Sequence, residues 1–419
     1  MKDWLFMLFL RGEADLVDFG EDLLAEASRV GSSDRVAVVA ELVPPTSTAE
    51  TRRGPINAGR DELAKIGFTD GSPEEIVSFV RDSKAKNDAR NRALILWDHG
   101  NGWQNVHVFN QVVTATREVN KRDAIAYEAA VARGLVPQQQ RRTLFVSDLR
   151  AVLDQEHGIN VVGFDACLMS MIEVAFQLRE TAQFMVASQH VVPASRGWAY
   201  EALLRTVTLD PRIGPEAVVR AMVDTFAGSY NGSSDAVTLT GLRLSAEVDR
   251  AVAAIDGFSD ALLEATQAYD KKPEGKDVRG EIVLARRLTQ SFGNPDYIDI
   301  VSFCEQIVKR GISERLERLA GVVKTAIDRL VVRHTRSNAS SLSDSHGVSI
   351  YFPEPIPRPL DDEFGAGDTR IAASYDELDF ADPLYCRWAI FLDVIIKGMT
   401  VENALKVERG RKKKEDAAA

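Results

Sequence analysis

Cysteine is scarce in this chain, with three residues among 419. Cys167, Cys304 and Cys386 lie far apart and are odd in number, which argues against a disulfide framework and against a clustered zinc site. We therefore expect a protein of a reducing compartment, in which each thiol serves either core packing or chemistry.

Long apolar runs and an excess of basic charge are also missing. No run reaches the length of a membrane span, and the short run at residues 4–10 is followed by Arg11 and Glu13, where a signal peptide would carry small residues. The net charge of −11, from 51 basic and 62 acidic residues, disfavours a nucleic-acid-binding surface. We expect a cytoplasmic protein without nucleic-acid or membrane partners.

Short apolar runs alternate with helical segments through the first half of the chain. The runs are residues 4–10, 35–43, 92–97, 159–164 and 183–188. Such runs are typical of strands that are covered on both faces of a parallel sheet, and their alternation with helices predicts an α/β fold. The second half is mainly helical, with strand-like pieces at 236–244 and 347–353.

We expect a catalytic core at residues 1–210, a mainly helical part at 211–405 packed on that core, and a disordered basic tail at 406–419. Residues 104–142 form a long insertion between two strand runs, and a loop of this length is usually functional or disordered. The basic residues considered there are Arg117, Lys121, Arg122, Arg133, Arg141 and Arg142. The insertion is either a segment for regulatory cleavage or a mobile surface loop.

Two chemically active side chains follow neighbouring predicted strands. His99 follows the run that ends at Trp97, in "DHGNGW", and Cys167 follows the run 159–164, in "FDACLMSM". Catalytic groups of open parallel sheets collect at the carboxyl edge of the strands. Either residue alone is more often structural, but together they predict a thiol nucleophile with a histidine base.

The surroundings of this pair favour an active thiol. If a helix begins near Leu168, its macrodipole lowers the pKa of the Cys167 thiol. The backbone N–H groups of Gly100 and Cys167 are placed to bind an oxyanion, and Asp165 would put a carboxylate at the substrate pocket, which suits a cationic side chain. The sequence contains no H-E-x-x-H, G-x-S-x-G or P-loop motif.

Two blocks of the sequence resemble a known family. "LILWDHGNGW" and "VVGFDACLMSMIEVAFQL" are similar to the two signature blocks of the clostripain family of cysteine peptidases, in the caspase-like clan. "VASQHVVPASRGWAY", "HGVSIYFP" and "YDELDFADPLYCRWAIFLD" extend the resemblance over nearly the whole chain, whereas the Gln-Ala-Cys-x-Gly block of caspases proper is missing. The resemblance implies a caspase-like, mostly parallel β-sheet flanked by helices, with a largely helical C-terminal subdomain.

The resemblance also implies roles for single residues. His99 and Cys167 would form the catalytic dyad, with Gly100 as an oxyanion contributor. Asp165 would select Arg or Lys at the P1 position of a peptide, and Ser188 and Trp198 would line the pocket.

It further implies a zymogen cut between the two blocks, after one of the six basic residues of 104–142. The chemistry requires no cofactor, although some members depend on calcium, and which residues would hold a metal stays unknown.

The sequence departs from the family pattern at two places. The first strand leads into Arg11-Gly12 rather than an Asp-Asn pair, and Arg196 precedes the Gly-Trp of the pocket segment. Arg196 would either repel a cationic P1 residue or pair with Asp165.

The leading hypothesis is a cysteine endopeptidase acting on protein or peptide substrates. The alternatives are a regulated intracellular processing protease of a defence or cell-death system, with an activating partner and another P1 preference, a catalytically silent binding scaffold, and a hydrolase of a non-peptide bond.

Overall fold

A computed structural model of the chain describes residues 1–12, 16–44, 50–67, 69, 71–103, 146–354 and 373–407. The chain divides into two units. The first unit comprises residues 1–169, 181–188 and 192–231, and the second comprises 170–180, 189–191 and 232–419. The predicted insertion 104–142, with its six basic residues, lies outside the described residues. So does most of the predicted tail, although residues 401–407 are helical.

The described residues form both helices and strands in chain order. The helices are α1 (Val17–Ser28), α2 (Pro73–Lys86), α3 (Val146–Gln155), α4 (Ile172–Gln177), α5 (Tyr200–Leu209), α6 (Pro215–Ser229), α7 (Ala246–Lys271), α8 (Val278–Arg287), α9 (Ile300–Arg310), α10 (Glu314–Leu330) and α11 (Trp388–Ile396). The strands are β1 (Lys2–Arg11), β2 (Val36–Val43), β3 (Thr51–Asn57), β4 (Arg60–Asp61), β5 (Ala64–Gly67), β6 (Ala89–Trp97), β7 (Val161–Asp165), β8 (Phe184–Ala187), β9 (Thr238–Arg243), β10 (Tyr297–Asp299), β11 (Val331–Arg336) and β12 (Ser349–Tyr351).

The first unit is built on a mostly parallel sheet in the order β8-β7-β6-β1-β2-β3. The pairs β8–β7, β7–β6, β6–β1 and β1–β2 are parallel, and β3 runs antiparallel to β2 and also pairs with β4 and β5. All eight residues of β2 and all five of β7 are buried, as expected for strands covered on both faces. The predicted α/β fold, with a mostly parallel sheet flanked by helices, is confirmed.

The helices of the first unit pack in three pairs: α1 with α5, α5 with α6, and α2 with α3. Helix α2 begins with a proline at its first turn and carries two glutamates there and two lysines in its last turn. Both distributions suit the helix dipole. Helix α1 connects β1 to β2 and α3 connects β6 to β7, and these strands run in one direction. The carboxyl ends of β1, β6 and β7 therefore lie at one edge of the sheet.

The second unit is mainly helical. Helix α10 packs against α7 and α9 through a buried stripe, and α11 packs against α7. The buried residues of that stripe are Leu316, Ala320, Val323, Ile327 and Leu330. Two antiparallel strand pairs, β9–β11 and β10–β12, complete the unit.

Candidate active site

Two loops leave the carboxyl edge of the first unit's sheet side by side. Trp97, the last residue of β6, is in register with Asp165, the last residue of β7. His99 follows Trp97 by two residues, and Cys167 follows Asp165 by the same interval. The sequence-predicted pair therefore leaves from adjacent strands at the edge where ligands of open parallel sheets bind.

Gly100 brings the two loops into direct contact. A Cβ atom at Gly100 would lie 2.2 Å from the carbonyl oxygen of Cys167 and 2.9 Å from its backbone nitrogen. No side chain can occupy that space, so only glycine permits this approach. The chain segment that carries His99 thus packs on the backbone of the candidate nucleophile.

Cys167 lies in a turn and not at a helix N-terminus, so the predicted helix start near Leu168 is wrong. Leu168 adopts a left-handed conformation with φ of 64°, and helix α4 begins only at Ile172. The left-handed residue interrupts the helix that the sequence pattern suggests. The helix macrodipole therefore gives no account of an active thiol here.

The Cys167 thiol contacts the backbone of Val192. Its Sγ accepts a hydrogen bond from the Val192 N–H at 3.4 Å and lies 3.8 Å from the Val192 carbonyl oxygen. Burial raises the pKa of the thiol, and the negative charge of Asp165 acts in the same direction, while the Val192 N–H opposes them. The resting sulfur is therefore protonated at neutral pH, and a nucleophile made from it needs a base.

Asp165 is held by the chain segment that contains Gly197, Trp198 and Tyr200. The carboxylate is 3% exposed, and its Oδ2 accepts hydrogen bonds from the Trp198 N–H at 3.2 Å and the Tyr200 hydroxyl at 2.9 Å. Gly197, at φ of 53°, approaches it so closely that a Cβ atom would lie 3.1 Å from Oδ2. Burial raises the pKa of Asp165 to about 7, against the lowering effect of the two donors.

A cavity adjoins Asp165 at the sheet edge. It is lined by Phe19, Asp22, Leu23, Glu26, Trp97, Ala194, Ser195, Arg196, Gly197, Trp198 and Tyr200. Asp22 and Glu26 of α1 give this lining two carboxylates, and burial raises the pKa of Glu26. The Trp198 indole packs on Gly163 of β7, where a Cβ atom would lie 2.9 Å from its Cη2. Together with the neighbouring Asp165, the lining places three acidic groups around this small space.

Arg196 does not pair with Asp165 in the structure. Its Nη1 donates a hydrogen bond to the carbonyl oxygen of Ser229 at 3.3 Å, and its guanidinium carbon lies 5.1 Å from the centre of the Tyr230 ring. The cation–π contact and the hydrogen bond direct its charge toward α6. Of the two roles considered for Arg196, the ion pair with Asp165 is therefore wrong.

The other predicted residues lie elsewhere. Ser188 is fully buried directly after β8 and does not line the cavity. Cys304 and Cys386 are buried in the second unit, where burial raises the pKa of both thiols, so of the two roles considered for each thiol they serve core packing. Trp198, in contrast, lines the cavity beside Asp165.

Sequence reasoning missed the contribution of α1. Asp22 and Glu26 are four residues apart and therefore lie on one face of a helix, and α1 follows β1, whose carboxyl end lies at the same sheet edge. This spacing was a usable signal. The Tyr200 hydroxyl on Asp165 was not predictable, because nothing in "GWAY" fixes where that side chain points.

Comparison with known proteins gives one family match and several structural ones. The model of the clostripain family matches residues 62–359, more than half of the chain. Clostripain from Hathewaya histolytica is 22% identical over an alignment of 339 residues that covers 70% of this chain and 60% of clostripain. The match thus spans less than two thirds of that relative.

Two crystal structures each share the fold over 91% of this chain. One is an inactive zymogen C11 protease from Parabacteroides distasonis, with a TM-score of 0.60, 15% identity and 98% of that chain covered. The other is a secreted C11 cysteine protease from Bacteroides thetaiotaomicron in complex with an irreversible peptide inhibitor, with a TM-score of 0.60, 13% identity and 99% coverage. With the match over 62–359, the chain belongs to the clostripain family.

Proposed function

We propose that this protein is a cysteine endopeptidase that cleaves after Arg or Lys, with Cys167 as nucleophile and His99 as general base. The observation that carries the proposal is the close packing of Gly100 on the Cys167 backbone, beside an acidic cavity. It brings a histidine segment, a thiol and an anionic pocket to one sheet edge, in a chain of a peptidase family.

Acylation begins with proton transfer from the Cys167 thiol to the His99 imidazole. The thiolate attacks the scissile carbonyl carbon, a C–S bond forms, and the carbonyl oxygen becomes an oxyanion. When the C–N bond breaks, the His99 imidazolium gives its proton to the leaving amine. Water, deprotonated by His99, then attacks the thioester carbonyl carbon, and the C–S bond breaks. The His99 imidazolium returns its proton to the Cys167 thiolate, and the new carboxylic acid loses its own proton to solvent.

The backbone N–H groups of Gly100 and Cys167 are the proposed donors to the oxyanion. Because Gly100 has no Cβ atom, its backbone N–H can lie close to Cys167, and hence close to the substrate carbonyl that the Cys167 thiolate attacks. Fixed donors of this kind each contribute roughly 3–4 kcal/mol to the stabilisation of the transition state.

The cavity beside Asp165 is the proposed P1 pocket. A guanidinium or ammonium group that enters it meets the field of Asp165, Asp22 and Glu26, and would draw the Asp165 carboxyl, whose pKa is about 7, fully into its ionised form. Trp198 forms one wall for the aliphatic stem. Arg196 also lines this cavity, but its guanidinium is directed to Ser229 and Tyr230, and the three acidic groups outnumber this one cation. Ser188 is assigned a supporting role as the buried start of the pocket segment.

The resting features fit an enzyme that awaits activation. The Cys167 thiol has a raised pKa, and the Asp165 carboxylate is taken up by two donors of its own chain. We assign activation to self-cleavage after a basic residue of 104–142. One structural relative is described as an inactive zymogen, and the same basic preference would serve substrate and self-cleavage.

Within the described ranges, no group of three or more His, Cys, Asp or Glu side chains could hold a metal ion, so we derive no step through calcium. Among the same residues, no helix combines the length and apolar character needed to span a bilayer.

Fluorogenic peptides that differ only at P1 (Arg, Lys, Leu or Glu) test the proposal, each with calcium and with a chelator. We expect turnover of the Arg and Lys peptides by the wild type and none by Cys167→Ala, with Cys304→Ala as the matched control at a buried cysteine. A fragment ending within 104–142, formed by the wild type alone, would support self-cleavage. Hydrolysis that persists in Cys167→Ala would contradict the proposal.

A further inference from the structure

The last residue of β1 is a buried arginine at the candidate site. Arg11 is 6% exposed, and its Nε lies 3.7 Å from Oδ2 of Asp98, the residue that precedes His99. Leu10 of β1 is in register with Trp97 of β6, so Arg11 and Asp98 are the next pair along these parallel strands and point to the same face of the sheet. The ion pair thus follows from strand register.

The second oxygen of Asp98 contacts the backbone of the proposed base. Asp98 Oδ1 accepts a hydrogen bond from the His99 N–H at 2.7 Å. The two oxygens of one carboxylate therefore face different groups, the guanidinium on one side and the His99 amide on the other. A shift of the Arg11 guanidinium would therefore displace the His99–Gly100 segment through the Asp98 carboxylate.

The Arg11 side chain is itself confined. It crosses Gly71, in the turn before α2, where a Cβ atom would lie 2.9 Å from Arg11 Cδ and 3.0 Å from Nε. Gly71 has φ of 67°, and its N–H donates to Glu75 Oε2 at 2.6 Å. Only a glycine leaves room for the arginine in this turn, so the Arg11 side chain lies between Gly71 and Asp98.

We propose that Arg11 is a positioning residue of the site: through Asp98 it holds the His99–Gly100 segment against Cys167. This role rests on the proposed His99–Cys167 dyad. Reacting groups displaced by about 1 Å can lose on the order of 100-fold in rate, and Gly100 is already packed on Cys167 without space to spare. Loss of the Arg11 charge would weaken the hold on Asp98, and a shift of its carboxylate would carry the hydrogen-bonded His99 backbone with it.

A second arginine–aspartate pair on β1 supplies the matched control. Arg35 pairs with Asp3 at the opposite, amino end of the same strand, and the Arg35 side chain is 50% exposed. A general loss of charge or of strand stability would affect both pairs, whereas a positioning effect is confined to Arg11.

The test compares Arg11→Gln, Arg11→Lys, Asp98→Asn, the Arg11→Gln/Asp98→Asn double variant and Arg35→Gln in the full chain. Three quantities are measured beside the thermal midpoint of each variant: kcat and KM on an Arg-P1 peptide, and the rate of Cys167 alkylation by iodoacetamide. We expect Arg11→Gln to lower kcat and the alkylation rate by about 10- to 100-fold, with KM little changed. Arg11→Lys should recover most of the loss, because an ammonium keeps the opposite charge that faces Asp98.

The double variant decides whether Arg11 acts through Asp98. The proposal requires it to lose no more than Asp98→Asn alone, since residues that act as one unit are not additive. Losses that multiply in the double variant, or an Arg11→Gln effect no larger than that of Arg35→Gln, would overturn it. Alkylation needs no peptide, so failure of every variant and the wild type to cleave peptides would refute the proposed function and leave the positioning role measurable.

Discussion

Replacement of Gly100 by alanine tests the packing on which the site depends. The added Cβ atom would lie 2.2 Å from the Cys167 carbonyl oxygen, whereas ordinary carbon contacts begin at about 3.5 Å, so the two segments must separate by about 1 Å. The added Cβ atom would also lie 2.9 Å from the Cys167 nitrogen. Because both of these contacts are with backbone atoms, no side-chain rotation can relieve them. We expect a loss of roughly 100-fold in activity and about 1–3 kcal/mol in the free energy of unfolding.

Gly228→Ala is the control for this substitution. Gly228 lies in α6, and a Cβ atom there would meet nothing within 4 Å, so alanine should raise stability by up to about 1 kcal/mol. Activity and Cys167 alkylation are measured for both variants, with urea unfolding. A Gly100→Ala protein that is as active and as stable as Gly228→Ala would refute the close approach of the two loops.

Three further predictions concern the thiols, the pocket acid and a buried amide. Iodoacetamide should modify native protein at Cys167 alone, because burial raises the pKa of Cys304 and Cys386 and shields both; a second labelled cysteine in a mass spectrum would contradict this. Burial raises the pKa of Asp165 to about 7 from 3.8, so its ionisation lowers stability as the pH rises from about 4 to 7. Asp165→Asn should therefore raise the thermal midpoint more at pH 8 than at pH 5 and reduce the preference for Arg over Leu at P1, and equal shifts at both pH values would count against the assignment. Gln189 is fully buried, and its amide makes four hydrogen bonds within the second unit; Gln189→Ala should cost about 3 kcal/mol or more in urea unfolding, and a loss below about 1 kcal/mol would show that water replaces the amide.

The parallel strands could be predicted because strands that are buried on both faces consist of short, nearly continuous apolar runs. The expected runs at 92–97 and 183–188 correspond to β6 (Ala89–Trp97) and β8 (Phe184–Ala187). The antiparallel strand β3, "TRRGPIN", was not expected, since it carries two arginines, a glycine and a proline. Backbone pairing with β2 on one side and with β4 and β5 on the other holds this strand, and its composition does not indicate those partners.

The wrong helix start after Cys167 has a tertiary cause. "CLMSMIEV" has helical spacing, but Ser170 donates its hydroxyl to the Gly347 carbonyl at 2.7 Å, and its own carbonyl accepts the Ser349 N–H at 2.9 Å. These contacts, with residues more than 170 positions away, hold the chain extended up to Met171. The local sequence pattern does not indicate these distant contacts. The position of the thiol at the end of β7 could therefore be predicted, but the turn around it could not.

The pocket likewise has features that the sequence predicts and features that only the folded structure reveals. The order of strands placed His99, Cys167 and Asp165 at one edge from sequence alone. The direction of Arg196 depends on Tyr230 and Ser229, which lie more than 30 residues further along. Side chains whose partners come from other elements require the folded structure.

The most direct test of the central claim is to locate the covalent adduct of a peptidyl chloromethyl ketone with Arg at P1. Digested wild type, His99→Ala and Cys304→Ala would be mapped by mass spectrometry after equal exposure. We predict an adduct on Cys167 in the wild type and in Cys304→Ala, and strongly reduced labelling in His99→Ala. An adduct on another side chain, or labelling of Cys167 that does not depend on His99, would contradict the assignment of the dyad.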